Sequence, residues 1–495
     1  MTDKNAKNGT SRARRRPEDM TRPMGQPTRT GQSVRRSQPV RESQPARQMP
    51  LTTTRFEAGR RAPAGNARAV RKPTEMTALD PKKTAALVAK QKRDAEKEAA
   101  WQKDIVRVRG GVDIVMLVII LLLVVFGTIA VFSSSYPVAI AEGREANYYI
   151  IRQVEFVAMG AAAMLAICLI PINFWKKWLP IVAYAVSAVL LAYTAARGLA
   201  AGVTHRWVRL GPIQLQPSEL MKVSVILMLA WYADKFGNQT SELDDKKTRY
   251  RWEILYPCLI LGGACGLVMI GKHLSGTIIV GLIGLAMLVI GGTRLTWLFG
   301  TLLPAGALAI GGFLIANPYA LKRITTFTDE NANKLDELYQ TTQSLYAIGS
   351  GGLFGVGIGE SRQKYSYLTA AHTDFIFAIW CEEWGFVGAV FLILLFLAFI
   401  WRGCVIAVRA PDKFTMLTAF GITVHIGLQA FLNMCVASDI IMNTGITLPF
   451  FSYGGSSTLV TMAEMGILLA ISRQSYRTKA QLKREKALAQ AGLDE

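Results

Sequence analysis

Long apolar runs separated by short polar segments fill the chain from Val112 onward, and no other feature restricts its fold as strongly. In hydrocarbon every backbone N–H and C=O must be satisfied within the spanning segment, so a run of roughly 20 apolar residues is built as a helix that crosses the bilayer. The candidate spans are 113–134, 150–172, 178–195, 217–234, 254–271, 274–291, 296–316, 373–401, 413–436 and 457–472. The expected fold is an all-α polytopic membrane protein of ten transmembrane helices. A large extracytoplasmic loop separates the seventh from the eighth.

Hydrophobic residues make up 51% of the chain and charged residues 18%, yet the net charge is +21, so the basic residues must be segregated. Residues 1–110 hold 27 Lys and Arg against 11 Asp and Glu. Residues 1–83 are too polar to offset the entropy of ordering and are expected to be a disordered basic cytoplasmic tail. Residues 84–111 are expected as a juxtamembrane helix, 112–473 as the membrane domain and 474–495 as a short basic cytoplasmic tail. The N-terminal tail lacks the apolar stretch and cleavage site of a secretory signal. A basic segment abutting a span suits anionic lipid headgroups or topogenic anchoring better than nucleic acid.

Basic residues also set the orientation. With Arg152 and Lys413 counted in the loops they adjoin, 44 of the 56 Lys and Arg fall on the side of the N-terminal tail and 11 on the other, and Lys222 lies within a span. The positive-inside bias then places both termini in the cytoplasm and segments 196–216, 317–372 and 437–456 outside. The six cysteines lie in or beside spans without CxxC spacing and read as small packing residues, so neither a metal site nor a disulfide framework is indicated.

Polar residues inside spans need a partner or a function. His425, Gln429 and Asn433 recur at i, i+4 and i+8 on one face of the ninth helix, where they bond between helices or line a wet cavity. Glu382 and Glu383 are adjacent in the eighth helix, so at least one should be paired with a cation or protonated. In HRWVRLGPIQLQPSELMK, residues 205–222, Pro217 and Glu219 suit a helix start, and Glu219 can meet Lys222 at i+3. The segment is therefore a helix start with an ion pair and Trp207 as interfacial anchor, or else Arg206, Arg209, Glu219 and Lys222 form the wall of a polar cavity for an anionic headgroup. The glycines between Gly349 and Gly359 lack the GK[ST] and βαβ context of a nucleotide loop and serve instead to bend the backbone near a bulky substrate. Asp374, at the head of the apolar run that follows, is either a carboxylate satisfying a helix start or a reactive group at the membrane boundary.

QPSELMK (216–222), QSLYAIGSGG (343–352), HTDFIFA (372–378), EEWGFVG (382–388) and TGITLPFFSYGGSS (444–457) together resemble the signatures of the SEDS family, the FtsW/RodA/SpoVE proteins of bacterial wall synthesis. The resemblance runs from about Asp113 to Arg473. It implies a ten-helix peptidoglycan glycosyltransferase of the bacterial cytoplasmic membrane that polymerises undecaprenyl-linked lipid II and releases undecaprenyl diphosphate. It also implies a class B penicillin-binding protein as partner, with divisome proteins as further partners. By the same resemblance the essential aspartate is Asp374, and Glu219 and Lys222 line a central cavity. Arg206, Trp207, Arg209, Gln343, Ser344, Lys364, His372, Ser452 and Ser456 join them as candidate substrate contacts. The chain departs from the family in reading KHLSGT (272–277) for EPDFGT, YLTAAHTD (367–374) for YLPExHTD and DIIMNTG (439–445) for GLLPxTG. These changes bear on the outer rim and leave Asp374 in place.

Displacing a lipid diphosphate by a sugar hydroxyl needs a base for the hydroxyl proton and positive charge for the leaving group. One carboxylate suffices for inversion, since a diphosphate departs without the acid that a glycosidase supplies. Asp374 is the expected base, and Arg206, Arg209, Lys222 and Lys272 are candidates for the diphosphate. The residues fix no cofactor; a divalent cation, magnesium or manganese, is a candidate helper. The competing readings are a lipid II flippase, since charged residues in spans also mark transport paths, and a noncatalytic scaffold of the division machinery.

Overall fold

A computed structural model of the chain describes residues 105–478, apart from 202–204, 212, 242–245, 317, 319, 320, 323, 324, 326 and 328–337. The expectations for residues 1–83, 84–104 and 479–495 lie outside the described residues. The long helices are α1 (Ile114–Ala141), α2 (Tyr148–Leu169), α3 (Leu179–Ala201), α4 (Pro217–Ser241), α5 (Thr248–Ile270), α6 (Leu274–Gly291), α7 (Leu295–Ile315), α9 (Ile376–Arg409), α10 (Lys413–Ala437) and α11 (Gly455–Ser472). A shorter helix, α8 (Tyr339–Ser350), lies in the loop between α7 and α9. Among the described residues nine helices are long and apolar enough to cross a membrane. The remaining long helix, α4, carries Glu219, Lys222, Asp234 and Lys235 and is not among the nine.

The end of the expected juxtamembrane helix is corrected. Ile105–Arg109 forms strand β1, which pairs antiparallel with Gln474–Thr478, strand β2. The sequence IVRVR alternates β-branched and basic residues with period two, a pattern that suits a ribbon better than a helix. Asp113 then caps α1 by accepting from the Met116 amide at 2.9 Å, and Arg402 of α9 grips its carboxylate through Nε at 2.9 Å and Nη2 at 2.7 Å. This joins the start of α1 to the far end of α9.

The interior is built around α10 and α11, the most buried of the candidate spans; α7, by contrast, buries almost nothing within the molecule. The most extensive pairings are α11 against α2 and α10 against α9. Close approach relies on glycine where backbone meets backbone: a Cβ on Gly466 of α11 would lie 2.6 Å from the Met164 carbonyl of α2. Among the described residues all six cysteines are free thiols.

Helix α9 is broken at Gly385, whose φ of 66° and ψ of −165° interrupt the helical ladder. The glycine-rich loop fills that break. Val356 N and Gly357 N donate to the carbonyls of Glu382 and Glu383, and Phe386 N and Val387 N donate to Gly352 and Leu353. EEWGFVG and SGGLFGVG are thus two halves of one interlock, in which each supplies the hydrogen bonds that the other lacks. Gly355 sits at φ +81°, and any Cβ there would collide with the Glu383 carbonyl. Gly355→Ala is therefore expected to cost at least about 1–3 kcal/mol, the usual scale for a strained non-glycine backbone before the collision is added. Gly349→Ala, in α8 with nothing within 4 Å of its Cβ, should leave stability unchanged or slightly raised. Thermal unfolding of both variants in detergent checks this.

Candidate functional site

Asp374 sits on a turn rather than in a helix. The helix expected from residue 373 begins at Ile376, with Phe375 as its N-cap, so the reading of Asp374 as a first-turn carboxylate is corrected. Phe375 and Ile376 are fully buried and anchor the helix start, whereas Asp374 is half-buried. Ala370, at φ 58°, starts the turn and accepts from Thr373 N at 3.1 Å and Phe375 N at 3.3 Å.

Three successive carbonyls of this turn are held from outside it. Tyr453 N donates to His372 O at 2.9 Å, Ser452 Oγ to Thr373 O at 2.6 Å, and Asn433 Nδ2 to Asp374 O at 2.7 Å. The loop 438–454 between α10 and α11 therefore lies directly over Asp374. Gly445, at φ +67°, lies beside it, and a Cβ built there would stand 3.6 Å from Asp374 Oδ2. Asn443 Nδ2 donates to Gln340 Oε1 at 2.8 Å and Gln340 Nε2 to Thr369 Oγ1 at 2.5 Å, so α8 ties the same loop to the strand of chain before Asp374.

A second polar group lies deeper. Lys222 Nζ is 2.7 Å from Glu219 Oε2 and donates to Gln429 Oε1 at 2.6 Å. Gln429 Oε1 also meets His425 Nε2 at 3.1 Å, and His425 Nδ1 meets Glu464 Oε2 at 3.0 Å. The expected Glu219–Lys222 pair therefore exists, with both members buried. His425, Gln429 and Asn433 face the bundle as their spacing predicts, and they bond between helices. In the segment before α4, Arg206 Nη2 donates to Lys272 O at 2.7 Å, and the Lys272 backbone is left-handed at φ 54°. Arg206, Trp207, Arg209 and Lys272 are exposed, and Gln343 is half-buried.

Four of the candidate contacts have partners within the protein. Ser344 Oγ donates to Ala437 O at 2.6 Å, Ser452 Oγ also accepts from Leu448 N at 2.7 Å, and Ser456 Oγ accepts from Gln216 N at 3.3 Å; all three serines are buried. Lys364, 2% exposed, pairs with Glu383 at 2.9 Å and donates to Ser133 Oγ at 3.0 Å. Its charge is spent on the carboxylate that needed a cation, while Glu382 accepts from Ser361 Oγ and from the amides of Arg362 and Gln363. These side chains tie the loops around Asp374 to the neighbouring helices.

His372 packs against Tyr149 and Tyr453 at ring separations of 4.9 and 5.8 Å. Burial pushes its imidazole below the ordinary histidine range, with Glu142 opposing. His273, which meets Ser218 Oγ at 3.2 Å, was not singled out by the sequence. Burial first, then the charge of Arg206, lowers its pKa from 6.5 to about 4. Because the folded value lies below the unfolded one, the associated stability is complete above pH 6.5 and is lost as the pH falls towards 4. His273→Gln should therefore lose less thermal stability than the wild type between about pH 7.5 and 5.5, one unit either side of the ordinary histidine value, when both are melted in the same detergent. Among the described residues no three His, Cys, Asp or Glu side chains converge as a metal site.

Comparison with known proteins gives a consistent picture. A family model described as cell cycle protein, FtsW/RodA/SpoVE, matches residues 113–477. The chain is 33% identical to a probable peptidoglycan glycosyltransferase FtsW of Geobacter sp. strain M18, over 73% of this chain and 97% of that protein. It is 36% identical to stage V sporulation protein E of Bacillus subtilis strain 168, again over 73% and 97%. Among solved structures, rod shape determining protein RodA of Thermus thermophilus matches with a TM-score of 0.53 at 26% identity, covering 73% of this chain and 97% of that one. A chain from a peptidoglycan synthase complex, described for its coordination of polymerization and crosslinking, matches with a TM-score of 0.57 at 25% identity, covering 73% and 98%.

Proposed function

The chain belongs to the FtsW/RodA/SpoVE family and is a peptidoglycan glycosyltransferase, and we propose that it polymerises lipid II on the outer face of the bacterial cytoplasmic membrane with Asp374 as general base. The observation that carries the assignment of the base is the turn at 370–375. It presents one half-buried carboxylate on a turn fixed through its backbone, with Gly445 beside it.

The acceptor's sugar hydroxyl gives its proton to Asp374 as its oxygen attacks the anomeric carbon of the donor. The bond from that carbon to the diphosphate oxygen breaks, with inversion, and undecaprenyl diphosphate leaves with the bonding pair. Asp374 then returns the proton to external water. Arg206 and Lys272 meet the developing charge directly, being exposed at the outer end. Lys222 acts from behind them as a fixed charge in a low-dielectric interior, where its field is weakly screened.

Several observations support the setting. The basic-residue bias favours Asp374 at the outer boundary and both termini in the cytoplasm, and α4 would serve as the tenth span with its charges turned inward. A class B penicillin-binding protein is the proposed partner, in keeping with the synthase complex that the chain resembles. The basic N-terminal tail is proposed to meet anionic lipids and division proteins. The test supplies lipid II to the purified protein and its class B partner in liposomes. Glycan strands are the expected product; translocated lipid II without polymer would replace this reading with that of a flippase.

A further inference from the structure

We infer that Asn433 is a positioning residue for the Asp374 base, an inference that rests on the function proposed above. Asn433 is fully buried in α10, and its carboxamide nitrogen uses both hydrogens, on Asp374 O at 2.7 Å and on Ile446 O at 2.7 Å. Two carbonyl neighbours accept only from an NH2 group, so the orientation of the amide is not in question. One turn earlier, Gln429 Nε2 donates to Thr447 O at 3.0 Å. The two rungs thus grip consecutive residues of the loop over the site, the upper one tied to Asp374 and the lower one to Lys222.

The geometry gives the upper rung a distinct task. Tyr453 and Ser452 hold the carbonyls of His372 and Thr373, and the Asp374 carbonyl is the last of the turn before α9 begins. Holding that carbonyl fixes ψ of Asp374, and with it the direction of the carboxylate relative to the loop. The same nitrogen holds Ile446, next to Gly445, so the carboxylate and the surface it faces are referred to one atom. Asn433 Oδ1 is buried with no partner among the described residues. A buried amide with an idle oxygen is a poor choice for packing alone. Asn433 reaches Asp374 only through the backbone and acts on the reaction through it.

The test compares Asn433→Ala, Asn433→Asp and Gln429→Ala with wild type, as full-length protein with its class B partner, measuring kcat and KM for lipid II per folded complex. Both Asn433 variants remove the two donated bonds, and the aspartate keeps the volume. The expected result is a fall in kcat of about 10- to 100-fold for both, the scale of a small misplacement of a reacting group, with KM within about two-fold of wild type. Gln429→Ala, which loses a bond to the same loop and frees Lys222, is expected to raise KM instead. Wild-type kcat in a folded Asn433 variant would overturn the inference, as would parallel losses of kcat and KM in the Asn433 and Gln429 variants. Failure of both Asn433 variants to fold also counts against it, since the two bonds would then be holding the bundle. An active wild type and an inactive Asp374→Asn beside normal Asn433 variants would sink this inference alone; an inactive wild type would sink the function beneath it.

Discussion

Lys222→Met should destabilise the membrane domain by about 3–5 kcal/mol, the usual penalty for orphaning one half of a buried ion pair. Glu219 is 8% exposed and Lys222 3%, and they meet at 2.7 Å between α4, α10 and α11. Without the ammonium, Glu219 keeps its burial and loses its cation, and Gln429 Oε1 keeps only its contact with His425. The intact pair itself is no large source of stability, because desolvating two charges offsets most of their attraction. Two consequences separate this account from a simple count of bonds. The double variant Glu219→Gln with Lys222→Met should regain most of the lost stability, because no charge is left buried. It should not regain polymerisation, because the fixed positive charge behind the diphosphate site is still missing. Thermal unfolding and initial polymerisation rates, measured on the single and double variants together, test both consequences. Recovery of rate along with stability would reduce the pair to a structural role.

Asp374→Asn should lower the polymerisation rate by roughly 10²–10⁴-fold, the range that a positioned general base contributes. The loss should fall on catalysis and not on folding. The turn is held by the carbonyls of residues 372–374 and by the buried Phe375, all of which survive the substitution. Unfolding temperatures of variant and wild type should therefore agree closely while their initial rates differ. Asp374→Glu keeps the basicity but carries the carboxylate about one bond length further, which should cost on the order of 10²-fold for a reacting group displaced by about 1 Å.

The sequence predicted the fold well where one physical rule acts along the chain. Apolar runs of span length mark the helices, including α10 with its polar stripe at residues 425, 429 and 433. Boundaries were less legible where distant partners decide. Nothing local says that α9 should start at Ile376 and break at Gly385, since the break is possible only because loop 351–357 supplies the missing hydrogen bonds. Ile105–Arg109 becomes a strand because its partner lies at 474–478, at the other end of the chain.

The site divides in the same way. Asp374, Glu219 and Lys222 stood out as charges beside apolar runs, and the structure places the last two together. Ser344, Lys364, Ser452 and Ser456 lie in or beside the motifs that carry the resemblance, which marks them without saying whether they touch a ligand or a backbone. Their partners, such as Ala437 for Ser344 and Ser133 for Lys364, are far away in sequence. Asn433 was visible as a member of a stripe, but its bond to Asp374 was not. His273 drew no notice because a single histidine between two spans has no pattern to match.

The most direct test of the central claim places lipid II only in the outer leaflet of vesicles that hold the protein in one orientation with its class B partner, and follows glycan strands made by wild type and by Asp374→Asn. Strands from the wild type and none from the variant are the predicted result. Equal strand formation by both proteins, or strands made only when lipid II is supplied to the inner leaflet, would contradict the assignment of the chemistry to Asp374 on the outer face.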